Sequence, residues 1–268
     1  YMQKIGSNGQ IVGTRRLVSS TAGLLTVQNP QVSYLRDGIY LVAWDTPGQM
    51  TSNYFSYRLF NSSGIFLSDI LRSNSFANPI MLTSISSDYQ DNFYLGYIMN
   101  DDGYVQKISS SGVLLTGSMK INYNAIYPLQ KLKQDFSDLY NGNFIIAYDY
   151  NVSYDANVGF SRISSDIINI QGLTRINNDI SSANQTKSSV KFNFYGDAII
   201  VWQDERNGKP EVYARAYYSE LQPFGDDIQI TDSVNNNNII NQIAIEAFSD
   251  GSFLVAFFSG NTVLLQKL

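Results

Sequence analysis

The residues best placed to do chemistry are carboxylates that trail a set of aromatic side chains. Asp45 follows Trp44, Asp149 follows Tyr148, and Asp204 with Glu205 comes just after Trp202. Each acid closes an apolar run and begins a loop. Acids brought together from several such loops would supply the two carboxyl groups of a glycosidase, one to protonate the leaving oxygen and one to act as base or nucleophile. The competing reading is structural: an acid at a hairpin entry bonds turn amides or a cation on the next strand. Most other chemistry is excluded by composition. The chain of 268 residues has no Cys and no His, which removes thiolate and Ser-His-Asp nucleophiles, disulfides and imidazole- or thiolate-held metals. Asp101-Asp102-Gly103 lacks the oxygen-ligand spacing of a calcium loop. Neither a metal nor a cofactor is expected.

A second group of candidates lies in loops rich in Asn. Asn122, Tyr123 and Tyr127 combine amides with aromatic rings, which hydrogen-bond and stack on sugars, although Asn also favours turns on its own account. A third group is a basic residue in fixed strand register, at Lys4, Arg58, Lys107, Arg162, Arg215 and Lys267. It reads either as a ring of cations for an acidic ligand or as a cation that pairs with an acid or stacks on a Tyr within its own repeat unit.

These residues recur because the chain repeats. Apolar runs end in Trp44, Tyr97, Tyr148, Trp202 and Phe257, a spacing of roughly 53 residues. Each run follows a turn pair: Asp37-Gly38, Asp91-Asn92, Asn141-Gly142, Gly196-Asp197 and Asp250-Gly251. Such pairs suit tight hairpins whose backbone needs positive φ. One copy reads as four strands over Gln31–Leu35, Ile39–Trp44, Tyr54–Phe60 and Ile65–Leu71. The second is apolar on both faces and the third alternates. The sequence therefore predicts an all-β, five-bladed β-propeller of four-stranded antiparallel blades in a single domain over residues 1–268. The repeats run approximately over 30–73, 79–122, 131–177, 188–232 and 241–268.

The ends fall out of phase with the blades. The chain opens and stops on a third strand, with Lys4 and Lys267 equivalent. Residues 1–20 are expected to hold closing strands, the segment around Gln10–Val18 completing the last blade. One third strand is then surplus. Tyr1, Gln3 and Lys4 at one end, and Val263, Gln266 and Lys267 at the other, are the candidate strands for closure or for exchange between copies.

The fourth copy reads Trp202-Gln203-Asp204-Glu205-Arg206-Asn207-Gly208, followed by Glu211-Val212-Tyr213-Ala214-Arg215. It resembles the repeats of bacterial secreted and cell-surface β-propeller proteins, which carry a Trp-x-Asp-x-Arg-Asn-Gly turn before Tyr-Ala-Arg/Gln. That resemblance implies export and surface display, and no single activity. The other copies lack Arg-Asn-Gly.

Net charge is −5 and charged residues make up 15%, with no basic run, so nucleic acid is a poor partner. No apolar stretch is long enough to span a bilayer as a helix. Opening on Tyr1, the chain reads as a processed product or a segment of something longer. Asn61, Asn151 and Asn184 begin Asn-X-Ser/Thr triplets, relevant only to a glycosylating host. The ranking drawn from these residues puts first a non-enzymatic extracellular adhesion or structural module that self-associates head to tail into filaments. A lectin-like propeller that binds glycans comes second and a carboxylate-based glycoside hydrolase third.

Overall fold

The computed structural model describes residues 1–19, 27–46, 53–121, 129–136, 143–152, 155–166, 169–179, 181–231 and 240–268. It is an all-β five-bladed propeller of antiparallel sheets. The chain divides into two compact units, Tyr1–Asn100 with Gln106–Gly117 and Asp101–Val105 with Ser118–Leu268.

The chain starts with β1 (Met2–Ile5) and β2 (Ile11–Arg16). Blade one is β3 (Gln28–Tyr34), β4 (Tyr40–Thr46), β5 (Tyr54–Phe60) and β6 (Leu71–Arg72). Blade two is β7 (Ile80–Ser87), β8 (Asn92–Met99), β9 (Asp102–Ser109) and β10 (Met119–Lys120). Blade three is β11 (Leu129–Phe136), β12 (Phe144–Val152), β13 (Asp155–Ile163) and β14 (Asn169–Arg175). Blade four is β15 (Gln185–Phe192), β16 (Ala198–Asp204), β17 (Glu211–Tyr217) and β18 (Pro223–Gln229). Blade five has three described strands, β19 (Ile240–Ala247), β20 (Phe253–Ser259) and β21 (Thr262–Lys267).

First strands of consecutive blades lie against each other, β3 on β7 in the first unit, and β11 on β15 and β15 on β19 in the second. Second strands are sandwiched between sheets, which is why they carry apolar residues on both faces. Along β16 the alternation sends Ala198, Ile200 and Trp202 into a cluster with Ile145, Ala147 and Phe160 of blade three. Ile199 and Val201, on its other face, pack with Val255 and Phe257 of blade five. The aromatic anchors are all buried, Trp202 and Tyr97 completely. Between blades one and two the packing is aromatic, with Phe55 and Tyr97 ring centroids 5.7 Å apart. Four turn pairs take positive φ, at Gly38, Asp91, Gly196 and Gly251, and Asn141-Gly142 lies outside the described residues. Gly251 has φ +88°, and a Cβ there would lie 2.7 Å from the Tyr195 ring, so both backbone and space demand glycine.

The fourth strand of blade one is shorter than its sequence predicts. Only Leu71–Arg72 is strand, although Phe66 bridges Phe60. Between them the Arg58 guanidinium donates to the Ser68 carbonyl and the Ser68 hydroxyl accepts from the Leu59 amide. Side chains there take the groups a ladder would have used.

The expected use of the chain ends is also corrected. β2 pairs with β1, as Lys4↔Val12 and Ile5↔Ile11, in a two-stranded sheet of their own. The local turn decides this: Gly6 N–H donates to the Gln10 carbonyl, and Gly9 adopts φ +76°. The hairpin's Met2 then packs on a cluster of Val18, Val42, Trp44 and Phe60, and Lys4 Nζ donates to the Ser62 carbonyl at 2.8 Å. Tyr1, Gln3 and Lys4 are thus committed to a hairpin on blade one. Val263 and Gln266 pair with Phe258 and Val255 inside blade five. The surplus strand on which filament assembly rested is already paired.

Candidate active site

Every first strand is bulged near its start, where the register slips between Gln28 and Gln31, Leu82 and Ser84, Leu129 and Lys131, Thr186 and Ser189, and Ile240 and Ile243. A bulge releases backbone amides from the ladder, and in a buried strand these need another acceptor. The residue one place after the aromatic anchor points to the opposite face from it, toward the following blade. In blades one and three that residue is an acid.

Asp45 Oδ1 accepts the Leu82 amide of β7 at 2.9 Å, and its Oδ2 accepts Asn29 Nδ2 at 2.6 Å. Asn29 itself sits in the bulge of β3 with φ 48°. The Asp45 side chain is buried, and burial pushes its carboxyl up to about 6 against the two donors that pull it down. Asp149 is more fully engaged. Its Oδ2 accepts the Lys187 amide at 2.5 Å, and its Oδ1 accepts both the Ser188 amide at 2.9 Å and the Ser188 hydroxyl at 2.5 Å. Lys187 is the positive-φ residue of that bulge. In blade four the corresponding residue is Gln203, whose Oε1 accepts Lys187 Nζ at 2.7 Å, and that ammonium also donates to the Ile240 carbonyl of β19.

Asp204 lies two places after its anchor and so turns to the other face. It receives Trp202 Nε1 at 2.8 Å, the Arg206 amide at 2.9 Å and the Arg206 guanidinium at 2.6 Å. Arg206 also reaches Asp227 at 2.9 Å and covers the Tyr213 ring at 4.2 Å. Burial works against its charge, but the two carboxylates hold it firmly protonated. The Trp-x-Asp-x-Arg-Asn-Gly turn is therefore a self-contained hairpin device, finished by Asn207 donating to Glu211 and to the Tyr213 hydroxyl. Glu205 is half-exposed beside it and accepts Asn184 Nδ2 and Gln203 Nε2. Asn122, Tyr123 and Tyr127 lie outside the described residues.

Within a blade, several third-strand cations find neighbours. Arg58 covers Phe66 at 3.5 Å, Lys107 stands 3.9 Å from Asp88, Arg215 stands 3.9 Å from Asp227, and Lys267 pairs with Asp250 at 2.9 Å. Arg215 also donates to Asn178, which follows the last strand of blade three. Among the described residues no cluster of three or more acids could hold a metal ion. No helix is long and apolar enough to cross a membrane. The bulge residues Asn29, Lys187 and Ser188 escaped the sequence reading. The Asn-Pro pair at Asn29-Pro30, ahead of an apolar strand, is the one local signal that marks such a bulge.

No family profile and no curated protein matches the sequence. Solved structures do match its fold. The α-L-arabinanase of Penicillium chrysogenum, solved with arabinobiose, aligns at TM-score 0.61 and 12% identity, over 90% of this chain and 77% of that one. A protein of unknown function from Dyadobacter fermentans aligns at 0.66 and 9%, over 99% and 81%. The endo-arabinase of Bacteroides thetaiotaomicron VPI-5482 aligns at 0.51 and 8%, over 94% and 98%. At these identities the likeness is one of fold. It nevertheless corrects the ranking drawn from sequence: two of these three propellers are glycan-cleaving enzymes by name, and the terminal strand that favoured a non-enzymatic filament module is held in a hairpin. The non-enzymatic reading is withdrawn.

Proposed function

We propose that this chain is a carboxylate-based glycoside hydrolase acting on arabinose-containing glycans, with Asp45 as its proton donor. The observation that carries the proposal is a buried carboxyl, at the loop end of a second strand, whose proton is retained up to about pH 6. A general acid needs this property, because it must hold its proton until the glycosidic oxygen takes it. The likeness in fold to arabinanases supports the substrate class. As the leaving oxygen departs, Asp45 gives up its proton, and the resulting carboxylate is held by the Leu82 amide and Asn29 Nδ2.

Release of reducing sugar from linear arabinan and from arabino-oligosaccharides tests this reading. Wild type is expected to hydrolyse them, with the rate falling as pH rises through about 6. Asp45→Asn keeps an acceptor for the Leu82 amide and removes the proton, so activity should drop roughly 10²–10⁴-fold with the fold intact. Absence of hydrolysis by the wild type, or full activity in Asp45→Asn, overturns the assignment.

A further inference from the structure

A cavity of about 480 Å³ lies between β1 and blade one, lined by Tyr1–Ile5 on one side and by Pro30, Gln31, Val32, Tyr40, Val42 and Asn61 among others on the other. The fold makes it by laying a short hairpin across a broad sheet face. Met2 packs on the cluster around Val42, while Val32 stays 60% exposed. Its floor is apolar, from Met2, Val32 and Val42. Among the described residues that line it there is no acid, and its one lining Lys or Arg, Lys4, donates to the Ser62 carbonyl.

What the walls do offer is rings and unused amides. Tyr40 lies 6.0 Å from Tyr34, tilted by 38°, and the Tyr34 ring is 65% exposed, so a shallow aromatic platform leads out of the cavity. Tyr1 stands at the mouth, held by Arg15 at 4.4 Å from its ring. Among the described residues, the Gln31 amide and the Tyr40 hydroxyl have no hydrogen-bond partner. The Asn61 amide oxygen caps its turn by accepting the Ser63 and Ile65 amides, and its Nδ2 makes no hydrogen bond among the described residues. Aromatic faces beside free amides and hydroxyls match the apolar face and vicinal hydroxyls of a sugar ring. The volume lies in the range of small-ligand sites.

We infer that this cavity is a glycan-binding site separate from the Asp45 carboxyl, taking a neutral oligosaccharide along the Tyr1, Tyr40 and Tyr34 rings. The choice of arabino-oligosaccharide as its ligand rests on the hydrolase reading; the cavity and its chemistry do not. Calorimetric titration of the non-cleaving Asp45→Asn protein with linear arabino-oligosaccharides provides the test. Two binding events per chain are expected. Adding Tyr40→Ala should remove one of them or weaken it roughly tenfold or more. Gln31→Ala and Tyr1→Ala, both on the cavity rim, should weaken the same event, and they keep the test decisive should Tyr40→Ala fail to fold. A single event unaffected by these substitutions overturns the inference, as does a cavity that takes only an apolar dye that sugar does not displace. Hydrolysis with only one binding event leaves the catalytic reading standing without the second site. Tyr40-dependent binding without any wild-type hydrolysis does the reverse.

Discussion

Asp45 in blade one and Asp149 in blade three occupy the same place in their blades and do the same mechanical job, yet they are held very differently. Both follow a buried aromatic, both cross to the following blade, and both meet a bulged first strand. Asp149 collects two backbone amides and a serine hydroxyl, all within its own unit. Asp45 receives one backbone amide and one side-chain amide, too little to offset its burial, and its carboxyl rises to about 6. Asp149 ties one blade to the next through these donors, whereas Asp45 in the same register keeps a carboxyl that burial raises.

Truncation tests the contrast most strongly. Asp149→Ala orphans the Lys187 and Ser188 amides and the Ser188 hydroxyl in a buried site, so it should cost roughly 3–5 kcal/mol in denaturant unfolding. Asp45→Ala orphans one backbone amide and also removes a poorly solvated charge, so its cost at neutral pH should stay below roughly 2 kcal/mol. Equal losses would show the two acids to be the same device, and the comparison would fail.

A smaller effect appears in the pH dependence of stability. The Asp45 carboxyl moves from an ordinary 3.8 to about 6 in the folded protein, so the folded state binds its proton more tightly. The stabilisation from that proton is fully present below about pH 3.8 and is lost as pH rises through about 6. Relative to Asp45→Asn, wild type should lose roughly 2 kcal/mol across this window. Parallel pH profiles of the two proteins would mean that Asp45 carries no raised pKa.

Much of this architecture was legible beforehand, because each strand type leaves its own pattern. The double-faced apolar runs ending at Trp44, Tyr97, Tyr148, Trp202 and Phe257 mark sandwiched second strands, and Gly38 and Gly251 mark hairpins that need positive φ. The site was harder to read. Asp45, Asp149 and Asp204 look alike because each comes soon after an aromatic, but a strand's period of two separates the position after the anchor from the next one along. That single step sends Asp149 to a neighbouring blade and Asp204 into its own turn. The donors were less visible still, since the Leu82 and Lys187 amides are backbone groups freed by bulges, which no residue type announces. Chain ends misled for a related reason. Repeat phase made β1 a third strand without a blade, but a local Asn8-Gly9 turn gave it a partner close at hand.

Ser188 offers the finest adjustment, because it is the donor that most clearly distinguishes the two sites. Its hydroxyl is fully buried and lies 2.5 Å from Asp149 Oδ1. Ser188→Ala leaves the backbone amides of Lys187 and Ser188 on Asp149 and removes the hydroxyl donor. A hydrogen bond to a charged acceptor is lost, but the donor leaves with it and no polar group is orphaned, so the cost should be about 1 kcal/mol in thermal or denaturant unfolding. A loss of roughly 3 kcal/mol or more would mean that the hydroxyl, and not the two backbone amides, carries the tie to Asp149.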